Sequence, residues 1–182
     1  MVILGIDPGS RITGFGVVRV LTKNLEYLDS GTIRVKSENL QDRLLEIHRG
    51  ILEIGQKYSI DHAAIEQVFV HFNIQSALKL GQARGAALTA LGLLNLSVSE
   101  YSARQIKQAV VGYGAAEKAQ VQEMVQTLLN LNKPPSQDAS DALACAICHS
   151  NTLGVAGYLN KNINSNSNLN LKLRTVRGRW RQ

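Results

Sequence analysis

The first seven residues constrain the fold most. Val2-Ile3-Leu4-Gly5-Ile6-Asp7 is a short apolar run that stops at a carboxylate, and Pro8-Gly9-Ser10 follows as a turn. A run of this length bounded by turn residues is a buried strand, so the rest of the chain has to supply its neighbours. Thr13–Leu21 and Asn24–Arg34 read as two more strands, rich in β-branched residues and joined by a Thr22-Lys23-Asn24 turn. From residue 39 the pattern changes. Leu40, Leu44, Ile47, Ile51 and Ile54 repeat with helical spacing, and Asp61–Val70 returns to strand. Gln75–Leu94 reads as a helix, Asn95–Glu100 as a short strand, and Ser102–Val110, Ala116–Leu129 and Asp138–His149 as helices. The order β-β-β-α-β-α-β-α-α-α predicts an α/β fold: a five-stranded mixed sheet, its first three strands antiparallel, with helices on both faces.

Charge divides the chain in two. The net charge of +6 comes entirely from residues 161–182, which carry Lys161, Lys172, Arg174, Arg177, Arg179 and Arg181 and no acid. Asparagine alternates with other residues from Asn160 to Asn170, a low-complexity pattern. The expected organisation is a neutral folded domain over residues 1–152 and an Asn-rich, basic, disordered tail over residues 153–182. A basic tail suits a polyanionic partner, although solvated basic ends are common. Two cysteines make no disulfide framework and point to a reducing compartment. No apolar run reaches membrane-spanning length, and no cationic segment precedes Val2. A cytoplasmic protein with no membrane partner is therefore expected.

Four acidic residues stand out by position. Asp7 ends the first strand, and the carboxyl ends of strands are where open α/β sheets bind ligands. Glu66 ends the strand Ala63-Ala64-Ile65 in the same way, so if the two strands are parallel neighbours both carboxylates leave one edge. Asp138 and Asp141, three apart, share one face of the last helix, and the small residues Ala139, Ser140, Ala142 and Ala144 let that helix lie close to the sheet. Each acid also has an ordinary explanation, as a turn cap, a solvated strand end or a helix N-terminus. Four converging carboxylates repel one another and make sense only with cations. Oxygen ligands without His or Cys select Mg²⁺ or Mn²⁺, and two such ions can hydrolyse a phosphodiester. Cys145-x-x-Cys148-His149 lacks a second ligand pair and fits packing inside an apolar helix.

Taken together, these segments resemble the RuvC-type Holliday junction resolvases. Leu4–Gly14 is similar to the family's opening motif, Ile65-Glu66-Gln67-Val68-Phe69 to its second and Ser76–Gly85 to its central helix. Ala103–Gln108 with Glu117-Lys118 is similar to its basic segment, and Asp138–Ala144 to its last acidic helix. The resemblance implies an RNase H-like fold and a Mg²⁺-dependent endodeoxyribonuclease that resolves four-way DNA junctions in recombination and repair. Asp7, Glu66, Asp138 and Asp141 would hold two metal ions, with Mn²⁺ as the alternative to Mg²⁺. Phe69 would contact unstacked bases, and Arg104, Lys107 and Lys118 would meet DNA. A homodimer working with the RuvA–RuvB branch-migration complex is also implied, and the apolar helix around Gly81–Leu88 is the expected interface. Two other readings remain open at this stage: an RNase H-like nuclease of ribosomal RNA processing, and a non-catalytic junction-binding module. Actin-like ATPases and sugar kinases need two such domains, and this chain has room for one.

Overall fold

The computed structural model describes residues 1–22, 24–68 and 74–166, with side chains as far as residue 154. A first compact unit, Met1–Asn151, holds the sheet and the acidic residues at its edge. Its strands are β1 (Val2–Asp7), β2 (Ile12–Val20), β3 (Leu25–Arg34), β4 (His62–Glu66) and β5 (Val98–Tyr101). Its helices are α1 (Leu40–Lys57), α2 (Ile74–Leu93), α3 (Ala103–Val111), α4 (Lys118–Leu128) and α5 (Gln137–Asn166), the last running on beyond the unit. The sheet order is β3-β2-β1-β4-β5, antiparallel from β3 to β1 and parallel from β1 to β5. The mixed sheet expected from the sequence is the one observed.

Side chains alternate across a strand, and here the alternation assigns the layers. Leu4, Ile6, Val17, Ala63 and Ile65 share one face and join Ile47 and Ile51 of α1 and Ala83, Ala87 and Leu91 of α2 in a single core. Gly5, Gly14 and Gly16 point the other way, toward α5. A Cβ on Gly5 would overlap the Ala142 carbonyl oxygen, and one on Gly14 would overlap that of Asp138. On Gly16 it would stand 2.7 Å from Leu143 Cδ2. Absent side chains on the sheet thus match small ones on the helix, and backbone meets backbone. Farther along α5, the Tyr101 hydroxyl lies 2.8 Å from His149 Nδ1. Burial holds this imidazole below its usual pKa, with the neighbouring His62 adding to the effect.

Local signals set the ends of several elements. The Asn39 side chain accepts from the N–H groups of Gln41 and Asp42 and starts α1. Ser102 and Gln105 form a capping box at α3, and Gly112 at φ 95° ends it. Ser140 N–H donates to Ser136 O at 2.8 Å at the start of α5. Two boundaries differ from expectation. β4 stops at Glu66, with Gln67 and Val68 beyond it: β5 ends at Tyr101, and after the Gln67 N–H to Tyr101 O bond no partner strand remains among the described residues. Phe69 and Val70, the rest of the expected strand, lie outside the described residues. α5 continues past His149 to Asn166, into the segment expected to be a linker, because no proline or glycine after Gly157 interrupts it. The tail from residue 167, with the basic residues beyond Lys161, lies outside the described residues. No helix among the described residues is long and apolar enough to cross a membrane.

The glycine contacts generate a stability prediction. Gly5→Ala should cost about 3 kcal/mol or more, since neither backbone can yield cheaply. Gly92→Ala, with nothing within 4 Å of the added Cβ, should be neutral or stabilising by up to about 1 kcal/mol. Urea unfolding of the two variants checks the contrast; equal midpoints would mean that the close approach does not matter.

Candidate active site

β1 and β4 are parallel, with Ile6 opposite Ile65. Asp7 and Glu66, next along each strand, therefore leave the sheet side by side at its carboxyl edge. Across the other ladder Asp7 pairs with Gly14, where α5 touches the sheet at Asp138. Asp138 lies in the first turn of α5, and Asp141 follows on the same face. Asp7, Glu66 and Asp141 line one cleft of about 220 Å³, with Lys107 of α3 and Lys118 of α4 in its wall and Ile106 as apolar backing. Lys118 Nζ stands 3.4 Å from Asp141 Oδ2.

The electrostatics of this cleft are unfavourable to the fold. Burial raises the pKa of Asp7, the charges of Glu66, Asp141 and Asp138 raise it further, and Lys118 opposes them; the carboxyl reaches about 8. Glu66 is raised by burial and then by Asp141, with Lys118 and Lys107 pulling it down. Asp141 is also raised, mainly by burial, against the attraction of Lys118. Acids of this kind are stable as anions only beside added positive charge.

Relatives of the chain show where this arrangement occurs. Residues 3–149 match the family model described as crossover junction endodeoxyribonuclease RuvC. The chain belongs to that family. A crossover junction endodeoxyribonuclease from a Psychrobacter species is 51% identical over 185 residues, covering 99% of this chain and 94% of the relative. One from Photobacterium profundum is 58% identical over 151 residues, covering 83% and 87%. The solved structure of Thermus thermophilus RuvC in complex with Holliday junction substrate is similar at 33% identity and TM-score 0.81, over 86% of this chain and 96% of that one. The family resemblance and the RNase H-like sheet are thereby established, and neither the ribosomal RNA nuclease nor the non-catalytic module is favoured.

The structure brings together most of the residues singled out from the sequence. Asp7, Glu66, Asp141, Lys107 and Lys118 share the cleft, and Asp138 couples electrostatically to Asp7 and Asp141. Arg104 is exposed, lies beside Gly114 and is not among the residues that line the cleft. Phe69 lies outside the described residues. Cys145 and Cys148 are buried thiols whose pKa burial pushes upward, Cys148 to about 11, which disfavours thiolate chemistry. Glu100 pairs with Arg84 at 2.7 Å. Sequence reasoning missed Arg43, a buried guanidinium that donates to Ser10 O at 2.6 Å and so braces the turn after Asp7. The signal was present, because Arg43 stands on the same helical stripe as Ile47 and Ile51.

The raised Asp7 predicts an unusual pH dependence. Its folded-state pKa of about 8 exceeds its ordinary 3.8. The stability tied to its proton is complete below about pH 4 and is lost as pH rises through about 8. In chelator, wild type should melt lower at pH 9 than at pH 6. Asp7→Asn, which cannot ionise, should lose less and melt about 2–4 °C above wild type at pH 9. Scanning calorimetry across this range checks the difference; parallel curves would show that Asp7 is not the group concerned.

Proposed function

We propose that the chain cuts four-way DNA junctions by hydrolysing phosphodiester bonds at this cleft, with divalent cations held among Asp7, Glu66, Asp138 and Asp141. The observation that carries the reading is the forced meeting of three half-buried carboxylates from separate segments, facing two lysines. The donor set fits a hard cation: every candidate ligand is an oxygen, and each shifted acid is one that burial and neighbouring carboxylates hold above its usual range. Among the described residues no three acidic, histidine or cysteine side chains surround one point at ligating distance, so the fit rests on donor chemistry. Mg²⁺ is the proposed ion, with Mn²⁺ as a substitute of the same preference for oxygen. Bound there, the ions would supply an activated water and neutralise charge on the leaving oxygen.

The protein's own part is placement. β1, β4 and α5 fix the carboxylates on rigid elements. Lys107 and Lys118 hold the phosphate backbone over them, and Ile106 excludes water from one side of the cleft. Phe69 and Arg104 extend the DNA contact beyond the cleft in this reading. DNA affinity then comes largely from phosphate contacts, which fix position, and the acids carry the chemistry.

A four-way junction has two equivalent strands to cut, and a two-fold dimer would present two equivalent sites. Helix α2 supports such a dimer. Ala83, Ala87 and Leu91 bury one of its faces in the core, while Ile74 and Leu78 remain 77% and 57% exposed on another. Gly81 and Gly85 leave open space beside them. The partnership with RuvA–RuvB belongs to the same reading.

Asp7→Asn should lower the cleavage rate of a synthetic four-way junction at least about a hundredfold while junction binding is kept. Linear duplex should be cut poorly by wild type, and chelator should stop cleavage. A variant that cuts at the wild-type rate removes Asp7 from the mechanism. Lys107→Ala and Lys118→Ala should each lessen the slope of log K against log salt by about one phosphate contact; an unchanged slope would make them ordinary solvated lysines. Sedimentation should show a dimer that Gly85→Leu disrupts, and a monomer at micromolar concentration with and without junction DNA would overturn the assembly.

A further inference from the structure

The four acids of the cleft are not held equally well. Asp7 is paired with Gly14 in the β1–β2 ladder. Asp138 and Asp141 ride on α5, which rests on the sheet at Gly5 and Gly14. Glu66 is held from one side. The β1–β4 register ends at Ile6 and Ile65, one residue short of it, so among the described residues its strand partner is Tyr101 alone. The next backbone bond, Gln67 N–H to Tyr101 O at 2.9 Å, goes to the same residue. β5, which supplies this partner, is a four-residue strand at the edge of the sheet. A short edge strand is weakly held by its ladder and opens locally with ease. The position of Glu66 therefore depends on what fixes the end of β5.

Two polar contacts do so, from successive residues on opposite faces. Glu100 lies opposite Ile65 in the β4–β5 register and shares its face. Its carboxylate meets the Arg84 guanidinium of α2 at 2.7 Å. Tyr101 points to the other face, where its hydroxyl lies 2.8 Å from His149 Nδ1 of α5. One helix layer thus grips each side of the strand, at the two positions paired with Ile65 and Glu66. Neither contact is what stability alone would select. Arg84 Nε and His149 Nε2 are buried with no hydrogen-bond partner among the described residues, and leaving such a group unsatisfied is destabilising. Apolar side chains of similar volume often join two elements without that penalty. A polar contact adds a defined position, because apolar attraction is non-directional.

We infer that Arg84–Glu100 and Tyr101–His149 form a two-sided clamp on the end of β5, and that the clamp holds Glu66 in place for the cations. The inference rests on the reading of the acidic cleft given above. Arg84, Glu100, Tyr101 and His149 are positioning residues: they act through Glu66, and none of them lines the cleft. Carboxylates that bind metal depend on supporting contacts of this kind for their orientation, and a small displacement of one ligand weakens the whole site.

The test compares wild type with Glu100→Gln and Tyr101→Phe, which remove one charge and one hydroxyl, and with Tyr58→Phe as a control. Tyr58→Phe deletes a similar hydroxyl bond, 2.6 Å to Asp29, from β3 at the opposite edge of the sheet. Three quantities are read: the Mg²⁺ concentration that half-saturates cleavage of a four-way junction, the rise in melting temperature when Mg²⁺ is added to the DNA-free protein, and hydrogen exchange of the Gln67 amide. Each clamp variant should need about tenfold more Mg²⁺ than wild type, with junction binding in chelator kept. Each should gain less melting temperature from a given Mg²⁺ concentration and should exchange the Gln67 amide about tenfold faster. Tyr58→Phe should respond to Mg²⁺ as wild type does, even where its metal-free melting temperature falls. Arg84→Glu and Glu100→Arg should each weaken the Mg²⁺ response, and the two together should recover it, which a loss of packing would not do. If Tyr101→Phe does not fold, Glu100→Gln, at an exposed residue, decides the matter. Clamp variants that respond to Mg²⁺ like wild type, or a Tyr58→Phe that is equally impaired, would overturn the clamp. A wild type whose cleavage and melting ignore both Mg²⁺ and Mn²⁺ would instead overturn the reading of the acidic cleft, and the clamp with it.

Discussion

Everything in this site depends on a contact made by missing side chains. Gly5 and Gly14 let the backbone of α5 rest directly on β1 and β2, and Gly16 receives Leu143. With a methyl group on either of the first two, α5 would have to move outward. Asp138 and Asp141 would move with it, away from Asp7 and Glu66. Three small residues on the sheet therefore decide whether the acidic residues form a cluster. The far end of the contact is fixed by a different device, the buried Tyr101–His149 hydrogen bond. Burial holds this imidazole toward its neutral form, which costs less to bury than the charged one.

The same close packing creates electrostatic strain among the carboxylates. Holding carboxylates together and partly buried is unfavourable in the folded state by itself, as the shift of Asp7 to about 8 records. Structural ion pairs elsewhere behave in the opposite sense. Glu38, paired with Arg11 at 2.6 Å, is held below its ordinary value. Asp29, with Tyr58 and Lys57 as hydrogen-bond partners, is also lowered, although burial alone would raise it. Among the described residues, only at the sheet edge beside β1 and β4 do carboxylates go upward together. That contrast separates a site built to receive positive charge from the acids that stabilise the fold.

Much of this was legible in the sequence. Turn residues and period marked β1 to β3, and the i, i+3 pair Asp138 and Asp141 declared a helix face. The small residues of α5 announced close packing, but nothing local marks Gly5, Gly14 and Gly16 as their counterparts on the sheet. What Gly14 does depends on which residue lies opposite it, and that is a property of register and not of local pattern. The end of β4 was misplaced for the same reason: Val68 continues an apolar run, but a strand needs a partner, and β5 stops at Tyr101. Arg43 was passed over because it looks unremarkable locally. Its role comes from what the chain brings beside it, the Ser10 carbonyl.

Lys118 shows how the cleft overrides local rules. It is the first residue of α4, where the helix dipole disfavours a cation. α1 and α5, by contrast, carry Asp42 and Asp138 in their first turns. Helix preference would place an acid at position 118 and leave the lysine for the last turn, yet no basic residue occupies the last turn of α4. The placement makes sense only across the gap. At 3.4 Å from Asp141 the ammonium offsets part of the repulsion among the carboxylates, and the N-terminal peptide groups of α4 add to its positive field. An exposed cation on an electropositive helix end is a poor stabiliser of that helix and a good seat for a phosphate. Lys107 reaches the same cleft from α3, so two helices outside the sheet supply the charge that the acids on its edge require.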